Sequence, residues 1–110
     1  MRATQSVGDA TRVASRIISK GACQLMQIMG NNGNGATRYI QVHEAAALPA
    51  EAAVPKFTFK VAAGADFLID FGTLGVGLAA CVICTSSTQD TKTIAAAELG
   101  IQATIGNPQT

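Results

Sequence analysis

Few residues in this chain have the types and spacing that chemistry requires. Cys81-Val-Ile-Cys84 has the C-x-x-C spacing of zinc knuckles and thioredoxin-type redox pairs. A knuckle needs a tight turn and a redox pair usually opens a helix. The surrounding GLAACVICTSS instead reads as a continuous apolar strand, on which positions three apart point to opposite faces. Cys23 is the third cysteine, an odd number that does not suit a disulfide framework, so reduced buried thiols are expected, with Cys23 pairing to Cys81 or Cys84 as the alternative. Asp66 and Asp70 share a strand face, the arrangement of a paired-carboxylate acid and base. Lys56 and Lys60 stand opposite them if the two runs form a hairpin, which makes solvated strand-face charges the simpler reading.

Three further features fail in the same way. His43 is the sole histidine, with no second histidine for a metal and no nucleophile elbow to serve, so it is expected on the surface or on an edge strand. GTLGVG at 72–77 lacks the glycine order, the following helix and the lysine of a phosphate loop and reads as a turn. Arg38 and Tyr39 are suited to stacking a base or a sugar, yet a chain with no tryptophan and one tyrosine is poorly equipped for that work. The expectation is a protein that is not an enzyme, with no cofactor and no metal.

The elements that position these residues follow from alternation. In KFTFKVAAGADFLIDF, residues 56–71, Phe57, Phe59 and Val61 alternate with Lys56, Thr58 and Lys60, and Phe67, Ile69 and Phe71 alternate with Asp66 and Asp70. This predicts a β-hairpin with one dry face, on which all four phenylalanines lie and announce the core. Residues 1–11 are polar, small and aperiodic, as in a flexible arm that orders on contact with a neighbour. Runs over 12–19 and 22–29 are strand-like, separated by Lys20-Gly21. The second is apolar on both parities at Leu25, Met26, Ile28 and Met29, so it is either a central strand or one with a face against a partner. A helix over 12–29 competes, but Gly21 and the β-branched Val13, Ile17 and Ile18 oppose it.

NNGNG at 31–35 is the clearest turn, its residues tolerant of positive φ, and TRYIQVHEA then alternates with Ile40 and Val42 on one parity. The alanine-rich 45–54 is bounded by Pro49 and Pro55 and predicts an extended crossover from one sheet to the other, with a single helical turn as the competing form. A glycine-rich loop precedes the strand 78–85, a polar loop SSTQDTKT follows, and Leu99, Ile101, Ala103 and Ile105 close the sheet at period two. The sum is an all-β chain: an antiparallel β-sandwich of about seven strands, Ig-like or jelly-roll. Its limits are an N-terminal arm at 1–11, one domain at 12–106 and a tail at 107–110.

Composition bounds the partners. The 110 residues suffice for one sandwich-sized core. Eight basic against seven acidic residues leave no basic patch to draw nucleic acid or an anionic membrane. MRATQSVGDATR has no apolar leader region, and no window approaches the ~18 to 20 apolar residues of a membrane span, so a chain made in the cytosol is expected. With 14% charged and 48% apolar residues, much of it alanine, the surface suits a subunit that buries part of itself in an assembly, although a small alanine-coated monomer has the same composition.

The succession TRYIQVHEAAALP, AAVPKFTFKVAAGADFLIDFG and GVGLAACVICTSSTQDTKT resembles small virion proteins of tailed bacteriophages over residues 13–105. Arg38-Tyr39-Ile40-Gln41-Val42 and Thr85-Ser86-Ser87-Thr88 with Lys92-Thr93 carry most of it; Cys81 and Cys84 lie outside the pattern. The resemblance implies a structural sandwich of the particle, located in the virion: either a head decoration (cement) protein or a small tail or fibre component that binds a receptor or glycan. The partners implied are further copies of itself, as a trimer or dimer through an alanine- and methionine-rich face, and a major capsid protein or other virion subunit. Residues 1–12 are expected to reach onto a neighbour. Contacts are expected from Arg2, Gln5, Asp9, Arg12, Arg38, Tyr39 and His43.

Overall fold

The computed structural model describes residues 4–72, 75–89, 91–93 and 99–106. Within them the chain is all-β: β1 Thr4–Val13, β2 Ser15–Ser19, β3 Cys23–Asn32, β4 Arg38–His43, β5 Phe57–Val61, β6 Asp66–Asp70, β7 Val76–Leu78, β8 Cys81–Ser86 and β9 Leu99–Gly106. They form two antiparallel sheets. The first runs β1-β9-β3-β6, with β7 also on β3; the second runs β2-β8-β4-β5.

The strand count exceeds expectation for two reasons. β6 and β7 lie end to end along one side of β3, which pairs Asp66–Asp70 through Gln27–Asn31 and Val76–Leu78 through Cys23–Leu25. The Gly-rich segment between them turns as expected, with Gly75 N donating to Gly72 O (3.1 Å). Gly75 has φ 67°, and a Cβ there would sit 2.7 Å from the Leu25 carbonyl oxygen, so glycine alone fits. The second reason corrects the expected arm. From Thr4 onward, residues 4–13 are an edge strand registered along β9 from Thr4↔Gly106 to Val13↔Leu99. A strand held by backbone pairing needs no apolar alternation, which is why this one was silent in the sequence.

The expected hairpin over 56–71 is also corrected. β5 pairs β4 and β6 pairs β3, so the segment is an arch that carries the chain from one sheet to the other. Both strands alternate because each has a dry face, and those faces meet across the sandwich: the Phe71 ring lies 5.9 Å from Phe57 and 6.0 Å from Phe59. Lys56 and Lys60 therefore belong to a different sheet from Asp66 and Asp70. Conversely, 44–56 is no crossover. It returns β4 to β5 within one sheet, folding onto residues 91–93 by Ala52 N→Lys92 O and Lys92 N→Ala53 O, both 2.7 Å. Proline fixes an extended backbone but not the sheet to which it leads.

The inner faces bury Leu25, Ile28, Ile101, Ala103 and Ile105 against Ile18, Ile40, Val42, Cys81 and Ile83. The phenylalanines flank this core and stay half-buried. β3 is the central strand of its sheet, and Met26 and Met29 lie off its inner face.

One side chain ties the sheet changes together. Asn32, 1% exposed, donates from Nδ2 to Ala36 O (3.0 Å), Ala62 O (3.1 Å) and Val61 O (3.3 Å), while its Oδ1 accepts from Asn34 N (3.0 Å). It so joins the β3–β4 connection to the β5–β6 arch. Residues 33–37 contain no positive φ, so this connection is shaped by asparagine side chains, Asn34 Oδ1 also accepting from Ala36 N (2.9 Å), rather than by left-handed residues. Asn32→Ala strands the buried Val61 carbonyl and frees the part-buried carbonyls of Ala36 and Ala62, and is expected to cost about 1 to 3 kcal/mol, read as a lower urea midpoint at unchanged m-value.

Candidate interaction surfaces

Cys81 and Cys84 point to opposite faces of β8. Cys81 joins the core cluster with Cys23, whereas Cys84 pairs with Gln41 on the outer face. All three thiols are free and buried. Burial, reinforced by Cys23 and Cys84, pushes the Cys81 thiol up to about 12. Burial also raises Cys23 and Cys84, against lowering hydrogen bonds from Ser19 and Ser15 respectively. Thiols held protonated in this way are poor nucleophiles and poor metal ligands. Among the described residues no cluster of three or more His, Cys, Asp or Glu is placed to hold a metal.

The outer face of the second sheet is not a surface. Gln41 is fully buried, and its Nε2 donates to the carbonyls of Thr91 (2.8 Å), Thr88 (3.0 Å) and Gln89 (3.3 Å). Ser86 Oγ accepts from Thr93 N (2.9 Å) and Thr88 N (3.1 Å) and donates to Thr91 O (3.2 Å). The loop after β8 is thereby laid over β4, and Lys92 within it is buried, its Nζ donating to Pro49 O. This polar lid is why both parities of YIQVH are buried. Alternation showed one dry face but gave no sign that the wet face would be roofed by the chain itself.

The roof displaces one expected contact residue. His43 is 3% exposed on a central strand, not on the surface or an edge, because the lid covers it. Gln41 Oε1 can only accept, so His43 Nε2 donates to it (3.1 Å), which suits the neutral imidazole. Arg38 and Tyr39 open β4 and are half-buried, with Arg38 Nη1 donating to Thr37 O (3.2 Å). Gln5 and Asp9 lie in β1, paired with Ile105 and Ile101, and Arg12 lies in its irregular stretch before Val13. Arg2 lies outside the described residues, as does the expected tail at 107–110. The structure thus scatters the expected contacts over both sheets.

What the sequence missed is an exposed apolar pair on the outer face of the first sheet and an open depression beside it. Met29 pairs with Leu68 and Gln102, and these outward side chains leave Met29 43% and Leu68 60% exposed. Beside them Met29, Gly30, Asn31, Asp66, Phe67, Gly100, Ile101 and Gln102 line an open depression of about 440 Å³. Gly30 is obligatory there: a Cβ would overlap the Gly100 carbonyl oxygen and lie 2.8 Å from the Phe67 ring. Asn31 Nδ2 donates to Asp66 Oδ1 (2.8 Å) on the rim. Met29 among apolar neighbours was the only trace of this in the sequence.

Compared with known proteins, the chain matches no family model, no curated protein and no solved structure.

Burial first, and the nearby Lys92 second, hold His43 below its ordinary 6.5. The unfolded chain therefore takes up the proton before the folded one does. The stability His43 contributes is complete above pH 6.5 and is lost as pH falls from there through its lowered folded value. Urea unfolding across this range should show stability declining with acid, and His43→Gln should flatten the decline; an equal slope in both would contradict it.

Proposed function

We propose that the protein is a non-enzymatic structural subunit of a bacteriophage virion, a head decoration (cement) protein. In this reading it binds the capsid surface in many copies, with the major capsid protein as its partner and with itself as a homo-oligomer. The observation that carries the reading is the outer face of the first sheet. An outer face with Met29 and Leu68 exposed beside an open depression suits attachment to a repeating protein surface. The resemblance carried by residues 38–42 and 85–93 supplies the particle, and the buried, protonated thiols and roofed His43 supply no competing chemistry.

Since residues 4–13 pair along β9, this reading takes the attachment to be through this face rather than through a free arm. An adhesive tail component is less well supported, since the single tyrosine is half-buried and the chain has no tryptophan to stack on a sugar.

Mass spectrometry of purified particles, calibrated against the capsid protein, tests the reading. Decoration predicts on the order of hundreds of copies per particle. A handful of copies would favour the tail alternative, and none would end both. Met29→Glu should lower occupancy on stripped particles by about tenfold with an unchanged melting temperature, since a charge is then desolvated at the contact.

A further inference from the structure

β6 is the end strand of the first sheet, so one of its edges meets β3 and the other meets no strand among the described residues. Asn32 N donates to Ala65 O (2.9 Å) and Phe71 N to Met26 O (2.8 Å), which turns the backbone groups of residues 65, 67, 69 and 71 toward β3. Residues 66, 68 and 70 between them direct their N–H and C=O groups to the open edge. The same three residues begin three rows across the outer face: Asp66 beside Asn31 and Gly100, Leu68 beside Met29 and Gln102, and Asp70 beside Gln27 and Thr104. An exposed apolar pair is thus flanked on the edge by two exposed carboxylates, and no lysine or arginine stands in the three rows.

We propose that this edge accepts an added strand from a partner protein, paired antiparallel to β6, with a basic residue at each end and three apolar residues between. Antiparallel pairing continues the order of the sheet, in which every pair is antiparallel. The open backbone groups of residues 66, 68 and 70 supply its hydrogen bonds. The two basic side chains then stand opposite Asp66 and Asp70, and the central apolar side chain stands opposite Leu68 and draws it and Met29 out of solvent. The two intervening residues fall beside Phe67 and Ile69, which are only half-buried in the single chain, and are apolar for that reason.

Charge selects the occupant. The β6 of a second copy, paired antiparallel about Leu68, opposes Asp66 to Asp70 twice, and like charges directly opposite on strands are destabilising. An acidic partner strand meets the same repulsion, whereas a basic one makes both contacts favourable. Asp66 Oδ1 accepts from Asn31 Nδ2 and Asp70 Oδ1 from Gly72 N (both 2.8 Å), so each carboxylate is held at the edge with capacity for a further donor. Charges that only guard an edge against pairing need no apolar residue between them. Here Leu68 stands between the two acids and is the more exposed member of the apolar pair.

The proposal rests on the reading of the Met29 and Leu68 face as the attachment surface, and it names the element of the partner that meets it. Its test uses the full chain and no particles, so it holds or fails separately from the copy number that tests that reading. The probe is the peptide acetyl-Thr-Lys-Val-Leu-Val-Lys-Thr-amide, titrated into the chain and followed by residue-resolved amide NMR. Saturable binding is expected with a Kd below about 1 mM, weakened by salt, with exchange protection gained at the amides of residues 66, 68 and 70 and none at 15–19. The same peptide with glutamate for both lysines should bind about tenfold more weakly or worse. Asp66→Asn with Asp70→Asn keeps an oxygen for Asn31 Nδ2 and Gly72 N, and should bring the two peptides to within about threefold of each other. No binding of the lysine peptide, equal Kd values for the two peptides on the unaltered chain, protection at 15–19 instead, or self-association of the chain through β6 without peptide would each overturn the proposal.

Discussion

The buried Asn32 amide is the contact on which the rest of the molecule depends. It sits where β3 ends and two sheet changes begin, and it satisfies carbonyls of both the 33–37 connection and the 61–62 corner. Buried backbone carbonyls must be paired, and loops that cross between sheets cannot pair them within a ladder. One amide at the crossing supplies the missing donors. With both connections fixed at one end, β4 enters the second sheet at the register Ile40↔Phe59, and β6 returns to the first at Ile28↔Ile69. Those registers bring Phe57 and Phe59 against Phe71.

A second polar cluster does comparable work on the opposite side of the second sheet. Gln41 and Ser86 hold the 87–89 and 91–93 segments, which in turn hold the 44–56 loop through the Lys92 backbone. β8 is therefore buried at every position although it belongs to a sheet with only one apolar partner layer. Tying down the long loop and roofing His43 cover the outer face of the second sheet, whereas Met29 and Leu68 stay exposed on the first. One outer face is thus packed by the chain itself, while the other keeps two large apolar side chains in solvent.

Much of the fold was legible in the sequence. Alternation located β4, β5, β6 and β9, the β-branched residues excluded a helix over 12–29, and the three-residue spacing of Cys81 and Cys84 placed them on opposite faces. Pairing was less legible, for a physical reason: a strand with one dry face looks the same whether that face meets a hairpin partner or the opposite sheet. The 56–71 arch and the 44–56 loop were thus assigned each other's roles. β1 left no trace because its backbone pairing makes no demand on side-chain period. The exposed Met29–Leu68 pair was legible only as a doubly apolar β3, since the pairing that brings Leu68 beside Met29 leaves no mark on the period of either strand.

The central claim is that the buried Asn32 amide fixes both connections between the sheets. Amide hydrogen exchange, resolved by residue and compared between the wild-type chain and Asn32→Ala, tests it most directly. The account predicts that amides of 38–43 and 57–61 lose protection together in the variant, while those of 15–19, at the opposite edge of the second sheet, change least. A loss confined to 33–37, or one as large at 15–19 as at 38–43, would contradict it.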